Sequence, residues 1–440
     1  MGEARTKESA RQIAMVCLDE LVPGHDRYRR IDALVADWGF VREAARPYYS
    51  DGVGRPSIDP TVLLKLMLAG ALEGIGSMRE LLRVAEVRLD LRLFLGYGLG
   101  ERLPAHQTIS EAQTQRFADG EVFERLFLRT VALCQEHGLI DGTHLSVDGF
   151  HVEANAALTS LRASLYPIDG EATERTVVAR DTAAPEPPRL RLAEPRSGPT
   201  PKRKASNATA VSTTDADARL KGKPGQRPHL VYRGQVAVDP RARCIVSCLG
   251  ERAEGYEGDG LAPILDRARF VVPKLASVGA DQGYAAERVW EDTEQRGLVA
   301  YIPPQKTMLP SDGQPRTNAQ RLALEARART KSEHGLWAYQ RRMADAEGAI
   351  AELKTLHALD RVRCRGTPAF HVQLLLGSAA VNLKRLAAHA PPAQNGVAAA
   401  TNAAAAQPST HHRHAGIAKQ HRLTIDNDQA LLWTVTACLN

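Results

Sequence analysis

The sequence predicts an α/β protein, a mixed sheet with packed helices preceded by an all-helical N-terminal region, and three patterns predict it. From about Ser57 to Phe117, apolar residues recur at helical spacing between glycine-rich turns. Two apolar runs, His229 to Val238 and Arg243 to Leu249, flank an Asp239-Pro240 turn. Two more strand-like runs end in aspartates, Asp148 and Asp281, and the second lies among alternating helix and strand patterns.

In the N-terminal region, Asp59-Pro60 is a cap followed by a first-turn proline, and Val62, Leu63, Leu66, Met67, Gly70 and Ala71 form the stripe behind it. Gly74-Ile75-Gly76 breaks that helix. Ser77-Met78-Arg79-Glu80 then has the Ser-x-x-Glu form of a capping box, and Leu81, Leu82, Ala85 and Leu89 follow as a second stripe. Beyond Gly96-Tyr97-Gly98-Leu99-Gly100, a further helix starts near Pro104 and ends near Phe117. Short helices with tight turns suit a helix-turn-helix DNA reader and a helical dimerisation domain equally.

From Ala157 to about Pro228 the periodicity collapses into Pro, Ser, Thr, Ala and Asp, a composition that reads as a long loop or disordered insertion. Its Lys202-Arg203-Lys204 run is either a phosphate contact or a solvated linker charge. After the hairpin, helices are expected at about Leu261 to Arg269 and Ala285 to Arg296. Leu298 to Ile302 reads as a strand, and a long helix carries Leu336, Met343, Ala346, Ile350, Leu353 and His357 as its apolar stripe. The order strand, hairpin, helix, strand, helix, strand, helix describes an RNase H-like layout. The predicted domains are 1–135, helical and either DNA-binding or dimerising; 136–388, catalytic, with the insertion at about 157–228; and a low-complexity tail, 389–440.

Aspartate is a poor strand former, so one within or just past an apolar strand calls for a partner or a turn to cap. Asp148 and Asp281 hold such places, and Glu347 lies beside the apolar stripe of its helix, with Lys354 two turns on. Three carboxylates meeting at one point would repel unless cations sat between them, and hard oxygen ligands suit Mg²⁺. Two such ions about 3.5–4 Å apart can cut and rejoin phosphodiesters.

With 57 Lys and Arg against 51 Asp and Glu, the chain carries +6, which permits a polyanionic partner without demanding one. The charged start and the absence of a run of about 18 apolar residues predict a cytosolic protein without a membrane partner. Six scattered cysteines (Cys17, Cys134, Cys244, Cys248, Cys364, Cys438), none in a CxxC pair, read as reduced thiols. His411-His412-Arg413-His414 lies in the low-complexity tail and is not read as a metal site.

These residues resemble the DDE transposases of bacterial insertion sequences, in the branch with an InsH-like N-terminal domain. Asp148-Gly149-x-His151-Val152-x-Ala154-Asn155 is similar to the first-aspartate motif and Ala280-Asp281-x-Gly283-Tyr284 to the second. Tyr339-x-x-Arg342, Glu347 and Lys354 are similar to the Tyr-Arg-Glu-Lys signature. Arg361-Val362-Arg363-Cys364-Arg365-Gly366, Val381 to Arg385, and the N-terminal run Arg55 to Phe117 extend the likeness over about Ile31 to Ala388. Gly348 and Ala349 stand where the family often has a proline and an aromatic.

The resemblance implies an RNase H-like transposase with Asp148, Asp281 and Glu347 as catalytic and metal residues on Mg²⁺, or on Mn²⁺ as a substitute. Tyr339, Arg342, Lys354, Arg361, Arg363 and Arg365 would bind DNA. The enzyme would cleave and transfer strands at double-stranded terminal inverted repeats and join them to target DNA, working as a homo-oligomer. Two other readings stand beside it: a catalytically inactive, transposase-derived DNA-binding protein, and an RNase H-fold nuclease without strand transfer.

Overall fold

Side-chain caps set the starts of three helices in the first part of the chain. In the computed structural model, which describes residues 15–49, 57–163, 206–208, 210–222 and 227–389, eight helices precede the sheet. They are α1 (Leu18–Leu21), α2 (Arg27–Val35), α3 (Gly39–Ala45), α4 (Pro60–Glu73), α5 (Met78–Val87), α6 (Leu89–Leu95), α7 (His106–Glu111) and α8 (Glu121–Glu136). The Asp59 side chain accepts from Thr61 N–H at the start of α4, and Gly74 ends that helix at φ +67°. Ser77 accepts from Glu80 N–H at the start of α5. Among the described residues no single helix is long and apolar enough to cross a membrane; α4 and α5 meet that test only together and bend by 95° at their break. Leu63, Leu66 and Met67 of α4 and Leu81 of α5 are buried in the protein's own core.

The sheet that follows is mixed. Its strands are β1 (His144–Glu153), β4 (Arg219–Lys221), β5 (His229–Asp239), β6 (Cys244–Arg252), β7 (Ser277–Gly279) and β8 (Val299–Tyr301), while β2 (Leu161–Ala163) and β3 (Ala210–Ser212) pair separately. The order is β4-β5-β1-β7-β8, with β6 also on β5. The hairpin read from the Asp239-Pro240 turn is β5 and β6, antiparallel, with a register shift at Ala237/Val238. β1 runs antiparallel to β5 but parallel to β7, with Ser146 opposite Gly279. Carried two residues further, that register sets Asp148 level with Asp281.

The remaining helices are α9 (Leu261–Val271), α10 (Glu287–Gln295), α11 (Asn318–Lys331), α12 (Glu333–Leu356) and α13 (Thr367–His389). α12 packs on β1 and β5; α13 packs against β6, α8 and α4. One apolar cluster therefore runs from Leu63 and Phe123 in the helices to Val236 and Ile245 in the sheet and Leu375 in α13, and it does not divide near residue 135. The described residues all belong to one unit, Met1–Ala393.

Two expectations change here. The stretch 157–228, read as a loop or disordered insertion, contains β2, β3 and β4, and β4 pairs antiparallel with β5. Tyr232 donates to Asp215 within it, and Gly366 N–H reaches the Tyr232 hydroxyl at 3.1 Å. These short pieces rest on hydrogen bonds and on a few scattered apolar contacts, Leu161, Ala218 and Leu220, too sparse for a periodic pattern, so composition does not reveal them. The apolar stripe of α12 is also displaced: Leu336 and Met343 are 55% and 47% exposed, and the buried face runs through Ala338, Arg342, Asp345, Ala346, Ala349 and Leu353. Arg55-Pro56, the Lys202 to Lys204 run and the tail from residue 390 lie outside the described residues.

Where α13 crosses β6, the backbones meet at Gly250. A Cβ there would stand 2.9 Å from the His371 Cα and 3.0 Å from a Phe370 ring carbon. Gly250→Ala is therefore expected to cost about 1–3 kcal/mol through overpacking, read as a lower urea midpoint.

Candidate active site

Asp148 is a strand residue whose side chain is 13% exposed. Its Oδ1 accepts from Gly149 N–H at 2.9 Å, and its Oδ2 accepts from Arg342 Nη1 at 2.7 Å. Arg342, itself buried on α12, reaches Glu347 Oε1 with Nη2 at 3.1 Å. One guanidinium thus stands between two of the three expected carboxylates. Asp281 follows β7, where its Oδ1 accepts from Gly283 N–H at 2.8 Å and caps the 3₁₀ turn Gln282–Tyr284.

The electrostatics follow from this crowding. Burial pushes the Asp148 carboxyl up to about 6; the Arg342 charge works against that rise, while the charges of Asp281 and Glu347 add to it. Glu347 is 51% exposed and meets Asp148 only through the arginine. Among the described residues no three His, Cys, Asp or Glu side chains stand close enough together to hold a metal ion. The expected gathering is therefore partial: like charges repel, and the Arg342 guanidinium is the positive charge that stands between Asp148 and Glu347. The three carboxylates are an all-oxygen donor set, the chemistry that hard divalent cations require, and Arg342 marks where positive charge is favoured among them.

α12 is held in place two residues before Glu347. Asp345, fully buried, pairs with Arg243 at 3.3 Å and Arg341 at 2.9 Å, and Arg341 also donates to Pro240 O. This clamps the turn of the β5–β6 hairpin to the helix that carries Arg342 and Glu347.

The expected DNA-binding residues are not gathered in one place. Tyr339 is 48% exposed, and the Arg342 guanidinium lies 5.7 Å from its ring centre. Lys354 is half-buried, its ammonium 5.4 Å from the centre of the Phe150 ring, and burial holds its pKa below the usual lysine range. Arg361 bridges to Glu153 at the far end of β1, roughly 17 Å along the strand from Asp148 at about 3.3 Å per residue. Arg363 hydrogen-bonds Asp360 at 3.1 Å and its Nε lies 2.2 Å from where a Gly76 Cβ would stand, so it packs over the α4–α5 turn. Arg365 is exposed.

Sequence reasoning missed Gln235, wholly buried on β5 opposite Gly149, and Glu257, which opens the 3₁₀ turn Glu257–Gly260 before α9. Gln235 Nε2 donates to the Glu257 carbonyl at 3.0 Å, and its Oε1 accepts from the Tyr284 hydroxyl at 3.1 Å. The faint signal for Gln235 is a polar residue directly before the apolar run Val236-Ala237-Val238; Glu257 has none, because Glu251 to Gly260 reads as a charged, glycine-rich loop.

Two family models match this chain: a transposase domain, DUF772, over residues 16–115, and a transposase DDE domain over residues 311–387. The second takes in Tyr339, Arg342, Glu347, Lys354, Arg361, Arg363 and Arg365, whereas neither reaches Asp148 or Asp281. No curated protein matches. Among solved structures, a piggyBac transposase, determined by cryo-electron microscopy as a synaptic complex with hairpin DNA, is 7% identical with a TM-score of 0.38 over 83% of this chain and 75% of that one.

Proposed function

We propose that this chain, an insertion-sequence DDE transposase by its two family matches, cuts DNA strands at the inverted-repeat ends of its element and joins them to target DNA. In this reading the mixed sheet is RNase H-like, and Asp148, Asp281 and Glu347 hold Mg²⁺, with Mn²⁺ as a substitute. The observation that supports it most is the Arg342 guanidinium between Asp148 and Glu347, with the Asp281 charge acting on the same Asp148 carboxyl. Divalent cations held there would activate a water or a DNA 3′-hydroxyl and offset charge on the departing oxygen.

The chain's own residues do the rest. Arg342, relieved of its two carboxylates, is free to turn to a phosphate, and Lys354, about 10 Å along α12 from Glu347, offers a second cation to the backbone. Tyr339 offers a ring and a hydroxyl beside them. A phosphate contact at Arg361, roughly 17 Å from Asp148, would fall about five nucleotide steps from the cut. The presence of all three carboxylates favours an active enzyme over an inactive DNA-binding descendant.

The test is cleavage of DNA carrying the element's own terminal repeats, with and without Mg²⁺, followed by a search for joined products. Ion-dependent cleavage and joining, lost in Asp148→Ala, Asp281→Ala and Glu347→Ala, support the reading. No cleavage by the unsubstituted protein would leave the inactive DNA-binding reading, and cleavage without joining the nuclease one.

A pH dependence follows. A cation needs the Asp148 carboxylate, and that group is protonated below about 6. Mn²⁺ affinity measured by calorimetry is therefore expected to rise from pH 5 to pH 7, with proton release on binding; a flat profile would remove Asp148 from the ion's ligands.

A further inference from the structure

We propose that Glu257 is a fourth carboxylate of this pocket and takes part in holding its divalent cation, an inference that rests on the reading of Asp148 and Asp281 given above. Its place is built by two other elements. The buried Gln235 amide holds the Glu257 carbonyl with one end and the Tyr284 hydroxyl, three residues after Asp281, with the other. The turn carrying Glu257 is thereby tied to the segment carrying Asp281.

Two glycines then make room for the carboxylate. Glu257 Oε1 lies 1.9 Å from the point a Gly149 Cβ would occupy, and Gly149 directly follows Asp148. Around Gly283, Glu257 Oε2 is 3.4 Å and Asp281 Oδ1 2.9 Å from the corresponding point. The two oxygens of Glu257 thus face the neighbours of both aspartates, and at Gly149 any side chain would stand in the way.

No described residue gives the Glu257 carboxylate a hydrogen bond or an ion pair. Arg233, whose charge reaches it, is itself paired with Glu251 at 2.6 Å. Burial, and then the charge of Asp281, push the Glu257 carboxyl above its ordinary value. A half-buried acid beside two others and short of a counter-charge is relieved by a cation in a way that a solvated surface glutamate is not.

The test uses the full chain and Mn²⁺ alone, titrated by calorimetry without DNA, alongside cleavage of the terminal-repeat DNA. Glu257→Gln removes the charge and keeps the shape. Gly149→Ala keeps every carboxylate and pushes the flexible Glu257 end aside, its Cβ otherwise falling 3.1 Å from the Tyr284 hydroxyl. Both variants are expected to bind Mn²⁺ roughly tenfold or more weakly while still unfolding cooperatively in urea. Wild-type Mn²⁺ affinity in Glu257→Gln, with affinity lost in Asp148→Asn, overturns the role of Glu257 and spares the pocket. Unchanged affinity in Asp148→Asn as well overturns the pocket and this proposal with it.

Discussion

Asp148→Asn is expected to slow Mg²⁺-dependent strand cleavage by roughly a thousandfold or more without unfolding the protein. A metal clamp supplies several kcal/mol of charge stabilisation, and about 1.36 kcal/mol corresponds to tenfold in rate. Asparagine keeps the size of the side chain and can still accept from Gly149 N–H, so the strand has no reason to move. The stability change has a definite sign. The folded-state pKa of Asp148 lies above its unfolded value, so its contribution is fully present below the unfolded pKa and is lost as pH rises through about 6. Asparagine carries no such loss, and urea midpoints of the variant relative to the unsubstituted protein should shift in the variant's favour between pH 5 and pH 8. Retained cleavage would remove Asp148 from the reaction; a variant that loses ground from pH 5 to pH 8 would mean that its ionised form is not penalised by burial.

Asn382→Ala is the substitution expected to cost most in stability. Asn382 is wholly buried on α13, its Oδ1 accepting from Ile245 N–H at 2.8 Å and its Nδ2 donating to Ile245 O at 2.9 Å and to Thr130 Oγ1 at 3.3 Å. Ile245 lies where the β5–β6 register shifts. Alanine would strand a buried backbone donor and acceptor together, at about 1–3 kcal/mol each, and leave a void between α13, α8 and β6. A loss of about 3–5 kcal/mol is expected, measured by urea unfolding. An unchanged midpoint would mean that Ile245 finds other partners. The resemblance marks Val381 to Arg385 as a family segment, and its buried asparagine joins the helical region to the sheet.

How far the site could be read ahead of the structure differs residue by residue. Asp148 and Asp281 were legible because an aspartate in or just past an apolar strand breaks a local pattern. Asp281 also shows why that signal is ambiguous: it caps a turn as well as standing level with Asp148. Glu347 does lie on a helix, as its local pattern suggests, but only Ala346, Leu353 and His357 of the stripe assigned beside it are buried. Arg342 and Asp345 look like surface charges in the sequence, yet both are buried, each ion-paired with residues at least one helical turn away or on other elements.

The sequence by itself determined the caps of α4 and α5, the β5–β6 hairpin, the strands leading to both aspartates and the helix carrying Glu347. Each depends on interactions among residues a few positions apart, whose periodicity and turn chemistry are written in order along the chain. Only the tertiary structure decided that Arg342 would lie between Asp148 and Glu347, that Glu257 would lie over Gly149, and that Asn382 would pair with Ile245. A charged or amide side chain declares that it needs a partner but not which one, and that choice is made only when distant segments are brought together.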